Sequence, residues 1–282
     1  MSLELVKKLR ETTGAGMLDC QNALKESGGD MEKAVEVLRK KGLAAAAKKA
    51  SRLAKEGLLG FGVSSDGSKQ VLVEINCETD FVAKTDDFQK FLRSVTDVAL
   101  SQNPADLQAL LSLKMGRGTV QDCLTDLVAK LGENLQLRRF VAIKGNGNGD
   151  QLASYIHAGS KIGVIVHFSH AQKLDAGQAR EIAMHVAAMH PKYVRAAEVS
   201  AAFLEKEKEI QLAQLKESGK PQQILDKIID GKIRKTLSEI CLEDQVFVKD
   251  PEGKKTVKDW IRGLAPEAQI QKFVRLEVGE EG

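Results

Sequence analysis

Two stretches of this chain follow one plan, and that repetition restricts the fold more than any other feature. In the first, Leu59, Phe61 and Val63 alternate, Ser64-Ser65-Asp66-Gly67-Ser68 turns, and Gln70 to Asn76 alternates again. Apolar residues then recur at Phe88, Phe91, Leu92, Val95, Val98 and Ala99, and Asn103-Pro104 closes the pattern. In the second, Leu152–His157 and Ile162–Phe168 flank the turn Ala158-Gly159-Ser160-Lys161, a helix is expected from Gln178 to Met189, and His190-Pro191 ends it. A period of two marks strands, a period of 3.6 marks a helix, and an X-Pro pair stops it. Each copy therefore reads as a hairpin, a loop and a helix, which predicts two related α/β subdomains with antiparallel sheets.

The copies differ after the second strand. The loop after the second strand is longer in copy one and carries Thr79-Asp80-Phe81-Val82, for which copy two has no counterpart. A large aromatic beside two acids, Glu78 and Asp80, has two readings. Either Phe81 folds onto the core while Asp80 caps the next helix, or an exposed tip offers an apolar wedge and a charge to a partner. The strand leading to it sets Val71, Val73 and Ile75 against Leu72, Glu74 and Asn76, so one face is expected to be more apolar than the other.

Around the repeat lie helical segments. Ser2 to Glu11, Met17 to Glu26 and Asp30 to Lys41 read as three short helices separated by Thr13-Gly14-Ala15-Gly16 and Gly28-Gly29, with Ser2 and Asp30 as caps and Gly42 as the stop. Leu43 to Glu56, rich in Ala and Lys, reads as a helical linker. Asp86-Asp87 is the expected cap of the Phe88–Leu100 helix. Leu107 to Lys114 and Thr119 to Leu131 read as further helices, Gly132-Glu133-Asn134 as a break, and Leu135 to Ile143 as a strand. Ala197–Lys216 and Gln222–Ile240 flank Ser218-Gly219-Lys220-Pro221. Leu225, Ile229, Ile233, Leu237 and Ile240 line one helix; Val199, Phe203, Ile210, Ala213 and Leu215 line the other less regularly. Two narrow stripes can bury little but each other, so an antiparallel arm is expected to protrude. Leu242 to Lys249 and Gln271 to Val278 read as strand or extended segments, with a short basic helix between Gly253 and Leu264. The fold class is α+β: a three-helix bundle (1–55), one core subdomain (56–140), a second (141–196 with 241–282), and a helical hairpin arm (197–240).

Composition excludes several classes. A net charge of +3 and 4% aromatic residues with one Trp argue against a dedicated nucleic-acid binder. No apolar run is long enough to span a membrane, and the start shows no targeting signal. Cys20, Cys77, Cys123 and Cys241 are far apart without CxxC, which suits free thiols in a reducing cytosol. His167 and His170 form HxxH, better read as core and loop histidines than as a metal site. Cys77 with His157 is a nominal thiol–base pair that nothing orients. Neither Gly14-Ala15-Gly16 nor Gly145-Asn146-Gly147-Asn148-Gly149-Asp150 completes a nucleotide loop. No catalytic residues, cofactor or bound metal are expected, and the chain does not read as an enzyme of bond-making chemistry.

Two long motifs carry a family resemblance. Gln70–Lys84, QVLVEINCETDFVAK, and Leu9-Arg10 followed by Thr13-Gly14-Ala15-Gly16-Met17-Leu18-Asp19-Cys20, Ala23-Leu24 and Gly29-Asp30, resemble the signatures of bacterial elongation factor Ts. The N-terminal bundle also resembles the ubiquitin-associated type of docking module. The resemblance implies a guanine-nucleotide exchange factor that binds the GTPase elongation factor Tu. It implies that Thr79, Asp80, Phe81 and Val82 dislodge the partner's Mg²⁺, that Arg10, Met17 and Leu18 dock the bundle on the partner, and that His157 faces the partner's phosphate side. Many members carry a further helix after the last strand, whereas this sequence stops at Glu280-Glu281-Gly282, so a weaker or differently anchored complex is expected. The rivals are a non-catalytic, chaperone-like interaction subunit using the same surfaces, and an RNA-facing patch on the Lys-rich linker. A homodimer or two-to-two complex stays open. The expected setting is the cytoplasm.

Overall fold

The computed structural model describes residues 2–147, 149–215 and 222–280. The chain opens with α1 (Leu3–Thr13), α2 (Met17–Glu26) and α3 (Met31–Lys49). The Ser2 hydroxyl accepts the Glu4 N–H, and the Asp30 carboxylate accepts from Glu32 and Lys33, so both predicted caps form. Gly14 ends α1 at φ 69°, a left-handed conformation that glycine adopts without strain, and donates to the Arg10 carbonyl. Val6, Leu9, Cys20, Ala23, Leu24 and Ala34 form a small core of their own. Gly42 does not close the third helix: α3 continues to Lys49, and the expected separate linker helix is its second half, followed by an irregular stretch from Arg52 to Lys55. The Ala-rich sequence after Gly42 sustains the helix.

The first subdomain follows: β1 (Glu56–Val63), β2 (Lys69–Cys77), the short α4 (Asp80–Ala83), α5 (Asp86–Gln102), α6 (Leu107–Ser112), the small ribbon β3 (Lys114–Met115) and β4 (Gly118–Thr119), α7 (Val120–Leu131) and β5 (Gln136–Lys144). The sheet order is β1-β2-β5, antiparallel throughout. Thr85, not Asp86-Asp87, caps α5, its hydroxyl accepting the Phe88 N–H; the two aspartates occupy the first turn, where negative charge suits the helix dipole. At the other end, the buried Lys69 ammonium donates to the carbonyls of Ala99 and Leu100 and to the Asn103 side chain. It thus satisfies the helix's last acceptors.

The second subdomain repeats the arrangement. β6 (Gln151–Ile156) and β7 (Ile162–Ser169) form a hairpin, α8 (Ala176–Met189) covers it, and β8 (Gln269–Glu277) joins as the third strand in the order β6-β7-β8. The likeness extends to details. The central strand of each sheet has a register shift against its third strand, at Glu74/Ile75 and at His167/Phe168. Each covering helix ends in a left-handed residue, Asn103 at φ 49° and His190 at φ 47°, immediately before a proline.

Between α8 and β8 come α9 (Ala201–Leu215), α10 (Gln222–Ile240) and α11 (Val257–Leu264). α9 packs on α10 as the expected arm. Leu225, Ile229 and Ile233 are buried and Phe203 and Leu204 half-buried, whereas Ile210 and Ala213 are exposed. The turn assigned to 218–221 lies outside the described residues. Of the two readings of Leu242–Lys249, the extended one fits: a short 3₁₀ turn, Leu242–Asp244, leads into an extended stretch with an isolated bridge between Val246 and Thr256. Its alternation has another cause: Gln245 and Phe247 are buried while Val246 and Val248 point outward. No described helix is long and apolar enough to cross a membrane.

The sheets pack back to back with helices outside. Val73, Ile75 and Leu137 face Phe88, Val95, Leu124 and Val128. Val164, Val166 and Phe168 face Ile182, Ala183 and Val186. Between the sheets lie Leu59, Leu72, Ile143, Ile165 and Leu276. Burying such side chains is worth roughly 1.5–3 kcal/mol each. Gly163 lets the layers close, because a Cβ there would stand 2.8 Å from Leu72 Cδ2. The expectation of one more apolar face on β2 is corrected: every residue of β2 is buried, Glu74 and Asn76 included. Glu74 is satisfied from both subdomains. Arg139 Nε donates to one oxygen at 2.6 Å; the Asn76 amide (3.1 Å) and the Gly279 N–H (3.0 Å) donate to the other. Arg139 also reaches the Glu277 carbonyl at 3.1 Å.

Two stability predictions follow from these contacts. Glu74→Ala leaves Arg139 and two donors without their acceptor, and urea unfolding should show a loss of about 3–5 kcal/mol. His185 is buried; it accepts the Val248 N–H at Nδ1 (3.1 Å) and meets Gln245 Oε1 through Nε2 (3.0 Å), and burial lowers its pKa below the ordinary 6.5. The unfolded chain then binds the extra proton, so stability is full above pH 6.5 and falls on acidification, by at most about 1.4 kcal/mol per pH unit from this group. Urea midpoints compared between pH 5 and 7 (about the range in which His titrates) should show this slope in the wild type and lose it in His185→Gln.

Candidate functional site

The tip grows out of the most tightly held strand. β2 ends at Cys77, opposite Glu56, and the chain turns into the four-residue helix α4. Thr79 is its N-cap, with its hydroxyl accepting the Val82 N–H at 3.4 Å. Asp80 is therefore not a cap but the first helical residue. Its carboxylate takes a hydrogen bond from Lys84 Nζ at 2.6 Å, one turn on, and this bond holds the carboxyl below its ordinary range. Asp80 is charged at neutral pH. Phe81 is 78% exposed, which eliminates the buried reading; Lys84 Nζ lies 6.0 Å from its ring centroid. Val82 is half-buried and Ala83 buried against the core beneath. The four residues thus split: Thr79 and Val82 fasten the turn, and Asp80 and Phe81 face outward.

The fastening continues into the loop after α7, which had read only as a break. Glu133 Oε2 accepts the N–H groups of Glu78 and Thr79, each at 3.0 Å, and Oε1 accepts the Thr79 hydroxyl at 2.6 Å. In return, Glu78 Oε1 accepts the Asn134 N–H at 2.6 Å and lies 3.5 Å from Arg52. The Asn134 amide donates to the Arg52 carbonyl at 2.7 Å. One signal could have exposed Glu133. A carboxylate just past a helix C-terminus is unfavourable by the dipole, so it needs other partners.

The other predicted residues lie on flanking elements. His157 is exposed beyond β6, hydrogen-bonded through Nδ1 to the Tyr155 hydroxyl at 2.9 Å. Its turn is held beside the tip's base: Lys161 pairs with Glu56 at 2.6 Å, its charge reaches Asp80, and the Ser160 carbonyl accepts the Leu59 N–H at 2.8 Å. In the bundle, Arg10 is exposed, Met17 is 40% exposed and Leu18 68%. α3 docks on α7 through an Arg39–Asp122 ion pair. A Cβ on Gly14 would stand 3.7 Å from Lys130 Nζ, which itself bonds Asp87 in the first turn of α5 at 2.8 Å. The bundle's loop, the tip and the β6–β7 turn thus connect through α7 and the start of β1.

Other pairings are not assembled. The Cys77 thiol is buried, donates to the Thr79 carbonyl at 3.0 Å and is pushed up to about 11 by burial, while His157 is engaged elsewhere. His167 bonds Asp150 at 2.9 Å, and His170 meets Ser169. The same Asp150 oxygen accepts the Asn146 N–H at 2.7 Å, which places negative charge where a phosphate would need donors. Among the described residues, no three His, Cys, Asp or Glu side chains gather as a metal site.

Comparison with known proteins identifies the family of the chain. The family model described as Elongation factor TS matches residues 78–280. Elongation factor Ts of Hydrogenovibrio crunogenus is 45% identical over 281 residues, covering 99% of this chain and 92% of its own length. The Alkalilimnicola ehrlichii protein of the same name is 46% identical over 280 residues, with 99% and 92% coverage. That of Clostridioides difficile is 44% identical over 287 residues, with 99% and 93%. With the tip, the bundle and the paired sheets all inside the matched length, the chain belongs to the elongation factor Ts family.

Proposed function

We propose that this translation factor promotes guanine-nucleotide release from elongation factor Tu by pressing the α4 tip into the partner, with Phe81 as wedge and Asp80 as the charge that unsettles its Mg²⁺ site. The observation carrying this reading is a 78% exposed Phe81 on a one-turn helix whose base is hydrogen-bonded on both sides. Leaving such a ring in water forgoes roughly 1.5–3 kcal/mol of burial, which a complex recovers. Exchange requires no bond-making. A factor that binds the nucleotide-free partner more tightly than the loaded one weakens nucleotide binding by the same ratio. Much of that nucleotide's hold runs through Mg²⁺ bridging its phosphates. The wedge parts packed side chains near the metal, and the Asp80 carboxylate competes for the groups that support it.

The supporting surfaces follow the same division. Residues 1–55 dock through Arg10, Met17 and Leu18; the first subdomain, 56–140, presents the tip with Thr79 and Val82 at its root. The second, 141–196 with 241–282, presents His157 toward the phosphate side, and 197–240 forms the arm. The setting is the cytoplasm, which suits four free thiols.

The test is release of a fluorescent GDP analogue from elongation factor Tu with substoichiometric amounts of this chain. Phe81→Ala should lower the maximal release rate at least about tenfold, on the order of a binding hot spot, while the urea midpoint stays put. Met17→Ala/Leu18→Ala should instead raise the concentration needed for half-maximal release and leave the plateau nearly unchanged. Binding without acceleration by the wild-type chain would assign it to the interaction subunits. An Asp80→Ala/Phe81→Ala chain as active as wild type would remove the tip from the mechanism.

A further inference from the structure

We infer that Glu133 is a positioning residue for exchange: its carboxylate, from the loop after α7, fixes the direction in which α4 presents Phe81. The inference rests on the wedge reading above and adds to it the group that aims the wedge. Three donors of the tip's root converge on this one side chain: the N–H groups of Glu78 and Thr79 on Oε2, and the Thr79 hydroxyl on Oε1. The Thr79 hydroxyl in turn accepts the Val82 N–H, so Glu133 is one hydrogen bond removed from the first turn of α4.

Sequence continuity does not explain the contact. Glu133 is more than fifty residues from Thr79 and belongs to a different connection. Glu78 and Thr79 would otherwise present free N–H groups at the strand end, and a one-turn helix cannot hold its own orientation, since helix nucleation is unfavourable without outside contacts. The tip also has a second tie that leaves its root free to turn: Asp80 to Lys84 is internal to α4 and its cap. Among the described residues, only the Glu133 contacts and the Glu78–Asn134 bond fasten the root to a different part of the first subdomain by side-chain hydrogen bonds. With those bonds in place, a force on Phe81 is carried into the sheet and α7 rather than spent on swinging the turn. A small misplacement of a positioned group costs up to about a hundredfold in rate.

The chemistry separates geometry from charge. In Glu133→Gln the amide oxygen accepts both N–H groups, and the amide nitrogen donates to Thr79 Oγ1 after that hydroxyl rotates, so all three links survive without the charge. In Glu133→Leu all three are lost. The experiment measures GDP-analogue release across the cycle of wild type, Glu133→Leu, Phe81→Ala and the double variant, with Glu133→Gln alongside and urea midpoints for each. The expected result is a roughly tenfold lower plateau rate for Glu133→Leu with little change in half-saturating concentration. Glu133→Gln should stay near wild type, and Glu133→Leu should have no further effect once Phe81 is Ala. Equal losses from Glu133→Leu in both backgrounds would overturn the inference while leaving the wedge intact. A plateau loss that merely tracks the urea midpoint would overturn it too. Full activity of Phe81→Ala would overturn the wedge reading and this inference with it.

Discussion

Everything in the core depends on β2 being buried on both faces. A strand in a two-layer α/β unit has one covered face; here the second face meets another sheet, and Glu74 sits within that seam. A carboxylate there is tolerated only because Arg139, Asn76 and Gly279 all donate to it. Gly279 follows β8, the last strand of the second sheet, so the same bonds that satisfy the charge hold the subdomains in register. The tip emerges directly from the end of this strand, and it inherits a base that cannot tilt without disturbing both layers.

The N-terminal bundle is tied to that base through α7. Its N-cap box holds Asp122 in the first turn, and Asp122 also pairs with Arg39 of the bundle. Its last turn supplies Lys130, set between Gly14 and Asp87. The loop beyond supplies Glu133 and Asn134. One helix thus receives the N-terminal bundle on its flank and the tip's root at its end. An added module often hangs on a flexible linker; here the linker's expected helix is fused into α3 and packed. A partner that meets Leu18 and Phe81 together meets them at a set spacing.

Much of this was legible in the sequence because the repeat is strongly periodic. Hairpins, covering helices and the X-Pro stops all reappear, and even the arm's better stripe, Leu225 to Ile233, is buried as spaced. The misreadings have identifiable physical causes. Gly42 looked like a stop, but glycine ends a helix only where the backbone turns left-handed, and the alanines after it keep the helix going. Val246 and Val248 alternated like a strand although the alternation records which residues anchor under α8. Glu74 and Asn76 made one face of β2 read as less apolar because polarity alone does not reveal a second sheet. Within the site, Phe81's exposure was undecidable from its neighbours, and Glu133's place past a helix C-terminus signalled only that it needs partners, not that they lie in another loop.

On the proposed wedge reading, the division of labour inside Thr79-Asp80-Phe81-Val82 is what lets so short a segment act on a folded partner. A wedge does work only if the energy of inserting it is not lost in ordering the wedge itself, and each side chain immobilised on binding costs about 0.5–1.5 kcal/mol. Thr79 and Val82 meet part of that cost in advance: their contacts are made in the free protein, so binding has little left to order at the root. Lys84 then steadies both outward groups, through its bond to Asp80 and its place near the Phe81 ring. What remains for the partner to supply is a cleft for one ring and an environment sensitive to one added negative charge. The second subdomain has the same scaffold, without this turn at the corresponding place. Within the shared hairpin and covering helix, this turn thus sits in a loop, which a fold varies more freely than the buried strand that carries it.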